Sequence, residues 1–147
     1  MDWTAKVLSR RVIAVSPETT VLVATQIMRQ NQIGCVPVAE GGRLKGMFTE
    51  RDVVNRVVSQ GLDPAKTSVE QLMTANPIAI ESAEPLRNVF ELLAQRRFRH
   101  VPITDKGMLV GIISLTDLAG VLTEAFKEQK YLQFFLDYLT RGRSIKA

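Results

Sequence analysis

The sequence predicts a mixed α/β (α+β) fold in which two β-α-β-β-α repeats pack with pseudo-twofold symmetry and a C-terminal amphipathic helix follows. Three observations carry that prediction. The second half of the chain repeats the first at a constant offset of 65 residues, without a gap, over about fifty positions. Each copy alternates short apolar runs with one segment of helical periodicity. Neither copy alone offers enough apolar surface to cover both faces of a sheet, so the two are expected to pack together.

The repeat is legible residue by residue. Ile13 aligns with Ile78, Val15 with Ile80, Val21 with Leu86, Ile27 with Leu92 and Met28 with Leu93. Further on, Val36-Pro37-Val38 aligns with Val101-Pro102-Ile103, Gly42 with Gly107, Leu44 with Leu109, and Gly46-Met47-Phe48-Thr49 with Gly111-Ile112-Ile113-Ser114. Asp52 aligns with Asp117. Chance supplies some apolar matches, but not a proline, two glycines, a hydroxyl residue and an aspartate in the same frame. The predicted organisation is a first module over 7–61, a linker over 62–71, a second module over 72–122 and a helical extension over 123–147.

In the first copy, Val12 to Val15 is a short apolar run that predicts a strand, and Ser16-Pro17-Glu18-Thr19-Thr20 punctuates it before a helix. Val21, Ala24, Ile27 and Met28 fall on one face of that helix, which spans about Val21 to Gln30. Two strands follow, Val36 to Ala39 and Leu44 to Thr49, joined by Glu40-Gly41-Gly42-Arg43, whose glycines permit the positive φ of a tight hairpin. A second helix is predicted from about Glu50 to Gln60, ended by Gly61-Leu62-Asp63-Pro64. The second copy retraces the path: a strand at Ile78 to Ile80, a helix from about Pro85 to Arg96, a hairpin from Val101 to Ser114 turning at Asp105-Lys106-Gly107, and a helix starting near Leu115. Proline suits the first turn of a helix, where its missing N–H costs nothing. A matching approach segment precedes each first strand, Val7-Leu8-Ser9 and Leu72-Met73-Thr74.

Composition narrows the class. An apolar share of 46% and a charged share of 23% over 147 residues are those of an ordinary folded protein. No stretch approaches the roughly 20 apolar residues of a membrane span, and Met1-Asp2-Trp3-Thr4 lacks the basic and apolar regions of a signal peptide, so a cytoplasmic protein is expected. The single cysteine, Cys35, lies in the apolar run Ile33-Gly34-Cys35-Val36 and reads as a small core residue rather than a nucleophile. One histidine, no Cys/His metal set and no nucleophile motif argue against an enzyme, and no catalytic or metal residues are predicted. The net charge of +4 comes from scattered basic residues without interleaved aromatics, which argues against nucleic acid.

The strand-to-helix junctions carry the chemistry. A strand running directly into a helix exposes the first unpaired N–H groups and the positive end of the helix dipole, which attract phosphate. Thr49 and Ser114 stand at these junctions, with Asp52 and Asp117 three residues later. A carboxylate there accepts two hydrogen bonds and suits the paired hydroxyls of a ribose. Ser/Thr-x-x-Asp is equally a helix-capping arrangement, and the two roles are compatible.

The segments Leu72-Met73-Thr74-Ala75-Asn76-Pro77, His100-Val101-Pro102-Ile103, Gly46 to Asp52 and Gly111 to Asp117, in this order and doubled, resemble the cystathionine-β-synthase (CBS) domain family over about residues 7–122, as a tandem pair or Bateman module. The resemblance implies an adenine nucleotide in the clefts between modules: AMP first, with ADP, ATP, NAD or S-adenosylmethionine as alternatives. It implies that Asp117 holds ribose, that Ser114 and Thr116 line the same site, and that Ile13 and the strand edge at Cys35 surround the base. Thr49 and Asp52 take the corresponding parts in the other cleft, facing Ile78 and the Phe98-Arg99-His100 edge. Arg99 and His100 match the basic places that meet phosphate in nucleotide-binding relatives; their competing roles are a cation near a helix end and a packed strand start. Where the second copy has Thr116, the first has Arg51, which either adds phosphate affinity or plugs its cavity.

Beyond the repeat, Phe126, Tyr131, Phe134, Phe135 and Tyr138 concentrate five of the chain's nine aromatics in one segment. With Leu132 and Leu139 they predict an amphipathic helix ending near Arg141-Gly142-Arg143, either covering its own module or serving a dimer or partner interface. The expected function is a stand-alone regulatory sensor acting by coupling rather than turnover, as a homodimer or on an effector protein, with no membrane partner. The alternative is a structural dimerisation unit without a ligand.

Overall fold

The structure is a computed structural model and describes residues 5, 12–96 and 99–115. The predicted C-terminal helix and the candidates Thr116 and Asp117 lie outside the described residues.

Helix α1 (Val21–Asn31) starts at Thr20, whose side-chain oxygen accepts from Val23 N. It stops at Gln32, which takes the left-handed conformation at φ 53°, and Ile33 N donates back to Met28 O at 3.0 Å. Val21, Ala24 and Met28 are buried along the predicted face, while Leu22 and Val23 point outward. Strands β1 (Cys35–Glu40) and β2 (Arg43–Thr49) form an antiparallel hairpin through Gly41 and Gly42, both at positive φ as a two-residue turn of this hand requires. Helix α2 (Glu50–Asp52) continues as a π-helix over Val53–Val58, so the predicted α-helix to Gln60 is corrected: Ser59 N reaches Val54 O, five residues back. Four valines in this six-residue stretch supply β-branched crowding that disfavours a regular α-turn.

After a short 3₁₀ turn (Val69–Gln71), β3 (Thr74–Ala75) and β4 (Ile80–Glu81) lead into α3 (Leu86–Arg96), β5 (His100–Asp105) and β6 (Met108–Ser114). The second hairpin turns at Lys106 and Gly107, again with two positive φ values. The predicted strand at Val12 to Val15 reduces to one parallel bridge between Val15 and Val38. Its second-copy counterpart, Ile80 pairing with Ile103, extends to Glu81 because Ser82 N donates to Thr104 O. The residue equivalent to Ser82 is Pro17, which has no N–H to give.

The 65-residue offset holds at the level of register. Cys35 faces Thr49 as His100 faces Ser114, and the register shifts between Val38 and Ala39 as it does between Ile103 and Thr104. The hairpins meet tip to tip: Leu44 N donates to Gly107 O and Leu109 N to Gly42 O, two bonds that exchange under the repeat. Between them Arg43 pairs with Met108, its own counterpart, which places the pseudo-twofold axis at that pair. The strands thereby join into one sheet of order β1-β2-β6-β5-β4, with β3 alongside β2.

The first core cluster comprises Val15, Val21, Ala24, Met28, Val36, Val38, Phe48, Val57 and Val69. Ile80, Val89, Leu93, Val101, Ile103 and Ile113 repeat six of these positions and are likewise buried. Val69 is fully buried, and with Leu72 and Met73 it packs into the first module although it precedes the second. Its N–H donates to Thr19 O, while Ala5 N, at the chain start, donates to Glu84 O, the counterpart of Thr19. Val69, Leu72 and Met73 therefore dock on the first module, and Ala5 bonds to the second.

Candidate functional site: the groove between the modules

The site begins where β2 runs into α2 without a loop. Thr49 is both the last residue of the strand and the helix cap. Thr49 N donates to Asp52 Oδ2 at 2.9 Å and Asp52 N to Thr49 Oγ1 at 3.2 Å, a reciprocal capping box. Asp52 Oδ1 lies 3.5 Å from Arg56 Nε, and Arg56 Nη1 donates to Leu72 O at 2.7 Å in the approach segment. The first-module aspartate is thus committed to the cap and to Arg56.

The junction is tied to the strand before the hairpin in both modules. Glu50 N donates to Gly34 O at 2.9 Å, and its counterpart Leu115 N donates to Arg99 O at 2.9 Å. The side chains at these equivalent places differ in charge. In the first module Glu50's carboxylate lies over Gly34, close enough that a Cβ there would sit 3.1 Å from Oε1. In the second, Leu115 replaces the acid and Arg99 replaces the glycine.

An open groove of about 500 Å³ separates the modules, lined by Glu50, Arg51, Val54 and Asn55 from the first and Arg99 from the second. The spacing 50, 51, 54, 55 is one helix face, a periodic signal that the sequence reading passed over for Glu50, Val54 and Asn55 because it concentrated on the Thr/Ser-x-x-Asp positions. Neither Arg51 nor Arg99 takes part in an ion pair or a side-chain hydrogen bond among the described residues.

The other predicted contacts distribute as follows. His100 opens β5 opposite Ser114 at the end of β6, both partly buried and both with a bonded partner. Cys35 is buried at the start of β1 opposite Thr49, and burial, reinforced by the nearby Glu50 carboxylate, pushes its thiol up to about 12. That environment suits a core residue and not a nucleophile. Ile13 is partly buried in an extended segment, and Ile78 is exposed just before β4. Of the predicted contacts among the described residues, Arg99 lines the groove, joined by Arg51, and Thr49, Asp52, Ile13, Cys35, Ile78, His100 and Ser114 do not. No group of three or more His, Cys, Asp and Glu side chains suited to a metal is gathered among the described residues, and no helix there is long and apolar enough to cross a membrane.

Comparisons with known proteins agree with this architecture. The CBS domain-containing protein YhcV of Bacillus subtilis is 38% identical over 112 residues, 76% of this chain and 79% of that protein. A crystal structure of Hypoxic Response Protein I with two coordinated zinc ions superposes with a TM-score of 0.74 at 28% identity, covering 80% of this chain and 98% of that one. CBSX2, solved in complex with AMP, shares the fold with a TM-score of 0.72 at 21% identity, over 84% of this chain and 98% of that one. The CBS domain description matches residues 5–59 and again residues 69–124. Two such copies, related by the symmetry seen in the sheet, account for most of the sequence, and the chain belongs to the CBS domain family.

Proposed function

We propose that this CBS pair is a regulatory module that binds an adenine nucleotide between its two copies and does no chemistry on it. The observation that carries the reading is the inter-module groove, which brings a helix start of one copy against Arg99 of the other. A ligand held there touches both copies and biases their packing, which is the physical requirement for a sensor. That the fold accommodates AMP in CBSX2 supports the ligand class. AMP is the first choice, with ADP, ATP, NAD and S-adenosylmethionine as alternatives. In this reading Arg99 and His100 meet phosphate in the first-module cleft beside Thr49, Asp52 and Ile78, while in the second-module cleft Ser114, Thr116 and Asp117 hold the sugar side and Ile13 and the Cys35 edge border the base. The module works in the cytoplasm as a homodimer or on an effector protein.

A thermal-shift panel with these five compounds tests it. A true ligand at a hundredfold excess over its Kd adds about 2.7 kcal/mol, or about 5–10 °C for a chain of this size. Asp117→Ala is expected to remove the part of that shift due to the second-module cleft, while the ligand-free melting point falls by no more than the about 2–4 °C of a lost helix cap. Silence across the whole panel would overturn the reading.

One observation favours a second reading, a structural unit without a ligand in its first-module cleft. Asp52 is already satisfied by Thr49 and Arg56, so a ribose would have to displace bonds that the protein makes to itself.

A further inference from the structure

We infer that the π-helix over Val53–Val58 is a register switch, latched in its wide turn by the side chain of Ser59. Both ends of the helix are anchored. At its start the Thr49/Asp52 box and the bond from Glu50 N to Gly34 O hold the first turn. Beyond its end Leu22 N donates to Pro64 O and Val21 N to Thr67 O, which ties the exit segment to α1. Between these anchors Ser59 N reaches Val54 O and Leu62 N reaches Val57 O, each at 3.0 Å. Bonds that reach back five residues instead of four take up one extra residue, so the segment stores slack.

The latch is a competition for one carbonyl. In α register Ser59 N donates to Asn55 O, four residues back. That oxygen is already taken, because Ser59 Oγ donates to it at 2.5 Å. A hydroxyl that returns to the carbonyl four residues back competes with the backbone N–H for the same acceptor. Ser59 is exposed and outside the groove lining, so its hydroxyl acts on the helix and not on a ligand. Once Ser59 N takes Asn55 O, the slack passes into the exposed turn at Gly61, where nothing lies within 4 Å of the place a Cβ would occupy. Val54 and Asn55 form part of the groove wall, and Arg56 donates to Leu72 O in the segment that brings Leu72 and Met73 to the first core. A change of register therefore moves the wall of the cleft and pulls on the connection to the second module. This is a regulation of the proposed cleft and rests on that reading for its ligand, though not for the register itself. The device belongs to the first module, since Ser59 aligns with Glu124, whose ionised carboxylate has no proton to donate to a carbonyl.

The test compares the full chain with Ser59→Ala and Ser59→Thr by NMR, where the scalar coupling across a hydrogen bond names the carbonyl that each amide meets. The amide of residue 59 is expected to couple to Val54 in the unmodified chain and in Ser59→Thr, and to Asn55 in Ser59→Ala. AMP titrated calorimetrically into the same three proteins is expected to change in affinity about threefold or more in Ser59→Ala and to return to the unmodified value in Ser59→Thr. Coupling to Val54 in all three proteins would sink the latch. An acceptor that moves while AMP affinity stays constant would sink its link to the groove. A moved acceptor with no AMP binding to any of the three overturns the nucleotide reading and leaves the register switch standing.

Discussion

Cys35 shows how one environment decides a residue's role. Its neighbours in sequence are apolar, and its place at the start of β1 buries it opposite Thr49, so the neutral thiol is strongly preferred and the thiol is pushed up to about 12. The sign of the resulting pH dependence is fixed. In the unfolded chain the thiol loses its proton near 9, whereas in the folded chain it keeps it to about 12. Stability contributed by the buried thiol is therefore whole below about pH 9 and drains away as pH rises toward 12, with a slope of at most about 1.4 kcal/mol per pH unit. Urea denaturation at pH 8 to 10.5 should show that slope in the natural chain and a flatter one in Cys35→Ala. Identical slopes would mean that the thiol is more accessible than its burial implies.

At the scale of elements, the start of α2 is held by its own side chains. Thr49 and Asp52 satisfy each other's backbone N–H groups, and Arg56 links Asp52 to Leu72 O in the approach segment. Removing either half of the box, as Thr49→Ala or Asp52→Ala, is expected to cost about 1 kcal/mol in urea denaturation with no ligand present. The double variant should cost clearly less than the sum, because each substitution already breaks the shared arrangement. Strict additivity would show that the two residues act separately. If Asp52 also serves a ribose, its substitution lowers ligand response in the first-module cleft beyond this loss, whereas Thr49→Ser preserves the cap and should restore stability. The valine-rich π-helix that follows has its own consequence. It turns Val57 into the core while leaving Val54 61% and Val58 70% exposed, and Val54 thereby reaches the groove.

At the scale of the whole molecule, the two modules are joined by exchange. Val69, Leu72 and Met73 pack into the first core, Ala5 N bonds to Glu84 O of the second module, and the hairpin tips bond across the pseudo-twofold axis. Gly42 and Gly107 sit at those tips with φ of 77° and 83°, and a Cβ on them would meet Met108 Cε and Arg43 Nη1. Gly41 also has positive φ, but open space surrounds its missing Cβ. Gly41→Ala should therefore cost only the conformational strain, about 1–2 kcal/mol. Gly42→Ala and Gly107→Ala should cost about the same, because Met108 Cε and Arg43 Nη1 are the free ends of exposed side chains that can swing aside. A much larger fall in melting point for either tip variant than for Gly41→Ala would show that those side chains are held in place. On the proposed reading the same junction would give a bound ligand its leverage, since the groove borders both copies and the sheet connects them.

The sequence by itself determined the repeat, the hairpins and the core faces, because a 65-residue period, glycine pairs at turns and apolar spacing are local constraints that every copy must obey. It also marked Arg99 and the Thr49/Asp52 pair, since charge and capping chemistry are legible from residue type. The first-strand prediction shortened to a bridge because Pro17 lacks a donor whose partner, across the sheet, is invisible in one dimension. Only the tertiary structure decided that Val69, Leu72 and Met73 serve the first core. It alone decided that Asp52 is consumed by its own cap, and that Glu50, Arg51, Val54 and Asn55 share a wall facing Arg99. These are outcomes of which surfaces meet. Side chains far apart in the chain become neighbours only when two cores close against each other, and no local pattern records that encounter.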